Sequence, residues 1–276
     1  MQQIFTSINH LGEPTATNSM WIKKFLGISV FLLLLGTGCS HFTSGEQYQP
    51  FYGAVTWVPK IIGTLLIVAA ALLISPWRRN KTLLDLILPM VTLLFAHLSF
   101  AAFVHDHYAP EQLLEQGIKV GTPLVYWLFF TQRITEKKCI FLLKVSILCC
   151  FVGHGLFAVG LHFVPDSFID MTTTILGIDA HQAKHVLFVI GILDFIASIA
   201  IFFSNNTVFY TYLILWGLLT ALARVVYGGL IFDGNQVELA NYFFNTVFRI
   251  PHGLIPLFVY IHSFRSREKK ATSLRG

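Results

Sequence analysis

Charged residues are scarce in this sequence. They make up 12% of its 276 residues, about half of the ~25% that is usual in soluble domains. Hydrophobic residues account for 55%, and 26 residues are phenylalanine. A protein with one membrane anchor would recover a normal charge content in its soluble part. The composition therefore indicates an all-α, polytopic integral membrane protein whose surroundings are a lipid bilayer.

The signature motifs of common soluble enzymes are also missing. The sequence has no GxGxxG, no Walker loop, no HExxH and no GxSxG, which removes the usual nucleotide-binding, zinc-protease and serine-hydrolase patterns. The four cysteines form no CxxC pair or other metal-ligand spacing, and we expect them to be small buried residues. No soluble region is large enough to hold a flavin, so electrons for any redox chemistry would come from a partner subunit.

Long apolar runs dominate what is present. A helix of about 20 residues crosses the hydrocarbon core of a bilayer, and eight segments reach or approach that length. They are residues 22–39, 57–75, 83–104, 119–132, 140–163, 183–204, 207–230 and 241–263. The sequence therefore predicts about eight transmembrane helices, of which the fourth is the shortest.

Basic residues concentrate in alternate connections between these runs. They are Lys23, Lys24, Arg78, Arg79, Lys81, Arg133, Lys137, Lys138, Arg265, Arg267, Lys269, Lys270 and Arg275. The other connections carry Asp106, Glu111, Glu115, Asp166, Asp170, Asp179, Asp233 and Glu238. By the positive-inside rule both termini are predicted to be cytoplasmic. The net charge of +5 follows from this bias, and nucleic acid is not expected as a partner.

An internal repeat divides the chain into two halves. LLGTG at 34–38 aligns with FVGHG at 151–155, IIGTLLIVAAALLI at 61–74 with VIGILDFIASIAIF at 189–202, and FAHLSFAAFVHD at 95–106 with LARVVYGGLIFD at 222–233. The repeat predicts two tandem four-helix bundles of equal orientation. The predicted divisions are a cytoplasmic tail at 1–20, the first repeat at 21–135, the second repeat at 138–265 and a basic tail at 266–276.

Ionisable residues within the apolar runs lie mainly in the second repeat. They are His154, Asp194, Arg224, Arg249 and His252. A rise of 1.5 Å per residue puts them all in one leaflet, the first four about 9–16 Å below the outer ends of their helices. Facing lipid would cost each charge a few kcal/mol, so we expect these side chains to point into the bundle. Intramembrane ionisable groups mark functional sites by default.

The predicted site is a polar pocket in the second repeat. His154 and Asp194 are predicted to be catalytic, exchanging protons with a bound headgroup. The predicted ligand-binding residues are Arg224, Arg249, His252, Asn245 and Tyr227. The predicted ligand is a quinone, whose carbonyls need hydrogen-bond donors and whose reduction needs protons. A b-type haem between His154 and His252 is an alternative.

Other interpretations of the same residues stay open. The protein could be a transporter for a small anion, although Pro251 interrupts only the eighth span and the fourth has no matching signal. It could also be a non-catalytic scaffold subunit. In the structural interpretation, Asp194 and Arg224 form an ion pair, and His154 and His252 fix the helix register.

Two weaker features lie at the outer surface. His181 and His185 are one turn apart at the start of the sixth span, a spacing that can share a metal ion. The sequence fixes no third ligand, so no metal site is predicted, and Asp179 is more typical of a helix start. Residues 164–178 alternate acidic and apolar side chains and predict a short amphipathic helix over the outer mouth of the second bundle.

The second repeat resembles a known family. His154 and Gly155 form an HG pair in its first helix, Pro165 and Phe168 follow in the loop, and Asp194 is the acidic residue of a glycine-containing second helix. This order resembles DoxX-like bacterial membrane proteins, which typically have four helices. The resemblance implies a location in the bacterial cytoplasmic membrane. In some members it implies a role beside quinone-linked oxidation of sulfur compounds, together with a redox partner subunit.

Overall fold

A computed structural model describes the backbone of residues 16–43, 55, 57–75, 80–105, 107–232 and 235–273, and the side chains between 20 and 264 within these ranges. Over these residues the chain forms eleven helices and no strand. They are α1 (Ala16–Thr43), α2 (Trp57–Ile74), α3 (Lys81–His105), α4 (Pro110–Glu115), α5 (Gly117–Phe130), α6 (Glu136–Val159), α7 (Asp166–Leu176), α8 (Ala180–Phe203), α9 (Thr207–Ile231), α10 (Gln236–Arg249) and α11 (Pro251–Ser273).

Six of these helices are long and apolar enough to cross a membrane: α1 from Met20 onward, α2, α3, α6, α8 and α9. Helix α5 is apolar but has only 14 residues, a length of about 21 Å. The predicted eighth span is divided between α10 and α11 at Ile250. The chain is thus an all-helical membrane protein with six clear candidate spans, and the total of eight stays a prediction.

Some predicted features lie outside the described residues. They are residues 1–15 of the N-terminal tail, Arg78, Arg79, Asp106, Asp233 and the side chains of the basic C-terminal segment from Arg265 onward. The structure gives no orientation across a bilayer, so the cytoplasmic placement of the termini stays a prediction.

Local capping interactions define both ends of α6 and the start of α8. Helix α6 begins after Thr135, whose hydroxyl accepts the N–H of Lys138, and ends at Gly160 with φ 73°, a left-handed conformation natural to glycine. Helix α8 begins with a capping box in which Asp179 and Gln182 satisfy each other's backbone N–H groups. These signals are local in sequence, which is why both helices start close to where the apolar runs predict.

Four helices carry exposed apolar faces: α2, α3, α8 and α9. Their exposed side chains include Leu65, Val68, Leu86, Leu93, Phe188, Ile196, Leu215 and Leu219. Apolar surface on this scale is unfavourable in water but matches hydrocarbon chains. The exposed faces therefore agree with the bilayer surroundings that the composition predicts.

Glycines permit two very close helix crossings. Gly38 of α1 faces Gly63 of α2, and a Cβ on Gly63 would lie 2.7 Å from the carbonyl oxygen of Gly38. Gly155 of α6 faces Gly191 of α8 in the same way, with a corresponding separation of 2.8 Å. Small residues at such crossings allow helix backbones to approach in a membrane.

Helix α4 is packed into the protein rather than exposed in an outer loop. A Cβ on Gly153 of α6 would overlap the backbone of Glu115 and lie 2.8 Å from the carbonyl oxygen of Glu111. Glu111 is 0% exposed and Glu115 is 8% exposed, so these two acidic residues of the connection are buried. Gly36 of α1 makes the corresponding backbone contact with α10.

Candidate functional site

Six ionisable side chains from six different helices meet near the α4–α5 and α10–α11 junctions. We call them the polar cluster: Glu115 of α4, Lys119 of α5, His154 of α6, Arg224 of α9, Arg249 of α10 and His252 of α11. Four of the six were predicted from the sequence. The other two, Glu115 and Lys119, come from the first half of the chain, so the site is not confined to residues 138–265.

The histidines hold the centre of the cluster. His154 Nδ1 lies 3.7 Å from Glu115 Oε2, and the two imidazole rings of His154 and His252 lie 5.8 Å apart between centroids. His252 Nδ1 donates to the carbonyl oxygen of Arg249 at 2.9 Å. Gln116 donates to the other oxygen of Glu115 at 2.6 Å. Nδ1 of His252 is therefore held by a hydrogen bond, whereas Nδ1 of His154 faces a carboxylate at a longer distance.

Positive charge exceeds negative charge in the cluster. Arg249 lies close enough to Lys119 and Arg224 for their charges to interact, and Glu115 supplies the single carboxylate of the cluster. The ammonium of Lys119 lies 4.9 Å from the ring centroid of Phe248, a cation–π contact. The Nε atoms of Arg224 and Arg249 are buried and find no hydrogen-bond partner in the part of the chain that the structure describes. Buried donors of this kind are costly unless something accepts from them.

Asp194 has a different environment. The Tyr212 hydroxyl donates to Asp194 Oδ1 at 2.8 Å, and the indole of Trp216 lies beside the same carboxylate. Both partners belong to α9, so Asp194 ties α8 to α9. Within the described ranges no ion pair joins Asp194 to Arg224, and the structural ion pair considered from the sequence is not formed there.

Two other predicted ligand-binding residues have their contacts elsewhere. Tyr227 packs against Tyr242 with ring centroids 5.5 Å apart, and Asn245 donates to the side chain of Asn241 at 3.2 Å. Among the residues described, no hydrogen bond or ring contact connects either of them to the polar cluster. Their contacts join residues of α9 and α10 outside the polar cluster.

His181 and His185 are adjacent but exposed at the start of α8. Their rings lie 4.4 Å apart, and His185 Nδ1 donates to the carbonyl oxygen of His181. Asp179 caps the helix, and the described residues place no third ligand atom within reach of the pair. A group of three does form elsewhere, where ligand atoms of Cys150, His154 and His252 lie within 4.8 Å of one another.

The b-type haem considered from the sequence would need both histidines as axial ligands. It stays an untested alternative. What the structure shows is that the sulfur of Cys150 lies within 4.8 Å of ligand atoms of both histidines.

Helix α7 is the short helix predicted for residues 164–178. It spans Asp166–Leu176, has no buried residue, and packs on α8 and α9. The Phe168 ring lies 6.3 Å from the ring of His154 between centroids. An outer helix thus reaches the edge of the polar cluster.

Glu115 and Lys119 were missed because each looks ordinary in sequence. Glu115 stands in an acidic connection, and Lys119 stands at the edge of a short apolar run. A signal was available: Pro123 and Pro256 are 133 residues apart. The same offset aligns Lys119 with His252, so the predicted fourth span carries a basic residue opposite a histidine of the predicted eighth.

Comparison with known proteins finds no relative of this chain. No model of a known protein family matches the chain, and neither curated proteins nor solved structures yield a match.

Proposed function

We propose that this protein is a membrane carrier that binds a small oxyanion at the polar cluster. The observation that carries the proposal is the pair of buried Nε atoms of Arg224 and Arg249 without a partner among the described residues, in a cluster with three cations and one carboxylate. A bound oxyanion would accept from both guanidinium groups and offset the excess charge. A neutral ligand would leave that charge uncompensated.

The side chains favour oxygen-bearing anions over simple halides. Guanidinium groups present planar, paired donors that match carboxylate, sulfate and phosphate oxygens. Two such groups, with the ammonium of Lys119 nearby, surround a ligand from three helices. Carboxylates, sulfate and phosphate are therefore the substrate class that fits.

The position of the cluster supports transport. Each proposed repeat contributes a fourth span made of two helices, which meet at Gln116 in the first half and at Ile250 in the second. Ile250 itself keeps helical angles, φ −49° and ψ −41°, so the second interruption comes from the missing N–H of Pro251. Transporters commonly bind substrate where paired, interrupted helices of two repeats meet. These two interruptions support the proposed symmetry of the repeats.

Packing also supports the proposed duplication into two tandem units with eight spans. Helix α1 packs on α10, and α6 packs on α4 and α5, so the first span of each half meets the fourth of the other. Gly36 and Gly153, which align in the repeat, both make backbone contact across this interface. The polar cluster lies between the two units, where a rocking motion would open it to either side.

Binding is tested first on the purified full chain in detergent. The unfolding temperature is measured in sodium sulfate, phosphate and acetate, with sodium chloride at equal ionic strength as reference. We expect a saturable increase with at least one oxyanion in the wild type and none in Arg224→Gln. Equal responses to chloride and to all three oxyanions would contradict the proposal.

Transport is tested in proteoliposomes with the isotopically labelled form of the stabilising anion. We expect the labelled anion to accumulate with the wild type. Unlabelled anion should compete with this uptake, and Arg224→Gln should abolish it. Arg133→Gln is the matched control, because Arg133 lies outside the cluster with a 51% exposed side chain. Binding without accumulation would reduce the proposal to an oxyanion-binding membrane protein.

Quinone binding by a DoxX-like protein of the bacterial cytoplasmic membrane is a second candidate. The observation that favours it is the contact of His154 with Phe168 of the exposed helix α7. An apolar ring beside the His154–His252 pair would suit a quinone, whose ring is apolar and whose carbonyls accept hydrogen bonds. The HG pair at His154 is also part of the DoxX-like resemblance. In this candidate His154 and Asp194 remain the proton-exchanging residues.

Solvent extraction and mass spectrometry separate the two candidates. Near-stoichiometric quinone in the purified wild type, lost in His154→Ala, would support quinone binding. No quinone in protein isolated from its own membrane, together with an oxyanion response, would leave the carrier proposal alone.

A further inference from the structure

Cys150, His154 and His252 converge from two helices. Cys150 and His154 are one turn apart on α6, so both side chains lie on the same face, and His252 approaches from the first turn of α11. Their potential ligand atoms lie within 4.8 Å of one another. Cys150 is 0% exposed and His252 is 6% exposed. The sequence offered no metal-ligand spacing here because the third residue is about a hundred positions away.

The Nδ1 atom of each imidazole faces an oxygen acceptor, and that of His252 is hydrogen-bonded to it. His252 Nδ1 must be the donor in its bond to the Arg249 carbonyl, because a carbonyl oxygen can only accept. In the neutral ring this leaves Nε2 with a lone pair. His154 Nδ1 faces the carboxylate of Glu115 at 3.7 Å. A carbonyl or a carboxylate behind each ligating histidine is the usual outer shell of a metal centre, which fixes the tautomer and the ring orientation.

We propose that these three residues bind one copper(I) ion. A thiolate with two imidazoles suits soft ions such as copper(I), and also zinc. The surrounding charge decides between them, because Arg224 and Arg249 already interact with both histidines. Copper(I) and the thiolate cancel in charge, whereas a divalent ion would add positive charge beside two guanidinium groups.

The geometry is near what ligation needs. Bond lengths of about 2.0 Å to nitrogen and 2.3 Å to sulfur put ligand atoms about 3.7 Å apart in a trigonal site. The ligand atoms, which now lie within 4.8 Å of one another, would therefore approach by about 1 Å at most. Binding replaces the thiol proton with the ion, releases one proton to solvent, and changes no oxidation state.

This site goes beyond the proposed carrier function and does not depend on it. The oxyanion would be held by Arg224 and Arg249, whereas copper would be held by Cys150, His154 and His252. Metal-free protein in chloride buffer tests the copper site, and the oxyanion response tests the carrier. Either can fail while the other stands.

The test is titration of the metal-free full chain in detergent with copper(I), kept reduced by ascorbate, against a chromophoric copper(I) chelator. We expect one copper ion per chain in the wild type and at least a 10-fold loss of affinity in both Cys150→Ser and His154→Gln. Cys149→Ser is the matched control, because it removes the neighbouring thiol of the same helix, which is outside the group. X-ray absorption of the copper-loaded protein should show one sulfur and two nitrogen ligands.

The outcomes are distinct. Binding retained in Cys150→Ser, or lost equally in Cys149→Ser, would overturn the assignment. Failure of the wild-type protein to compete with the chelator for copper(I) would also overturn the assignment. Each variant is checked for an unchanged gel-filtration profile, and two variants on different ligands guard against loss of binding through misfolding of one of them. Zinc binding in place of copper would overturn the argument from charge.

Discussion

Replacing Arg249 with glutamine should separate a binding role from a structural role. Arg249 ends α10, and its buried Nε has no partner among the described residues. Glutamine keeps an amide donor and much of the length but removes the charge. Within the protein alone the change takes away one of three neighbouring cations, so it removes repulsion and no hydrogen bond of Nε. The unfolding temperature without ligand should therefore stay the same or rise.

Oxyanion binding should respond in the opposite direction. A hydrogen bond to a charged group contributes about 1.5–3 kcal/mol net. Since about 1.4 kcal/mol is tenfold in affinity, losing one such contact should raise Kd about 10- to 150-fold. Arg224→Gln should give a similar loss, because its Nε is equally buried and unsatisfied by the described residues.

The assay is the anion dependence of the unfolding temperature, followed by direct titration with the stabilising oxyanion. Arg133→Gln serves as the control. Its guanidinium lies 3.4 Å from Asp85 with half of the side chain exposed, so oxyanion affinity should be unchanged. If Arg249→Gln lowers the ligand-free unfolding temperature by several degrees and leaves the oxyanion response intact, the arginine is structural and the reasoning is refuted.

Three further predictions concern stability and are measured by thermal unfolding in detergent. Tyr212→Phe removes the hydroxyl bonded to buried Asp194 and should cost about 1–3 kcal/mol; an unchanged unfolding temperature would show that other donors replace it. Gly153→Ala should destabilise by about 1–3 kcal/mol, because its Cβ would overlap the α4 backbone. The same change at Gly229, where a Cβ meets nothing within 4 Å, should be neutral or stabilising by up to about 1 kcal/mol; equal effects would contradict the packing. Thr246→Val leaves an α9 carbonyl without its 2.9 Å side-chain donor and should cost about 1 kcal/mol, whereas no loss would mean that the bond is not formed.

The helical membrane class was determined by the sequence alone. With so few charged residues the chain cannot solvate a conventional surface, and a helix is the local structure that satisfies its own backbone in lipid. A local signal also marked a helix start, at Asp179. These features need no information about distant residues, which is why they can be predicted from the sequence.

The polar cluster could be predicted in part. His154, Arg224, Arg249 and His252 stood out because ionisable residues in apolar runs must face inward, and inward faces at equal depth meet. Asp194 satisfied the same criterion, yet its carboxylate is taken by Tyr212 of the neighbouring helix. Depth and helical face do not say which neighbour a buried group will find.

Tertiary packing decided the rest. Glu115 looked like a loop carboxylate until the close approach of α4 to Gly153 buried it. Lys119 looked like the edge of a weak span, but packing brings it close to Arg249 of the other half. Cys150 became a potential ligand only when α11 brought His252 beside it. Sequence determines how much polarity each helix carries, but the pairing of charges depends on contacts between distant segments, and those form only when the helices pack.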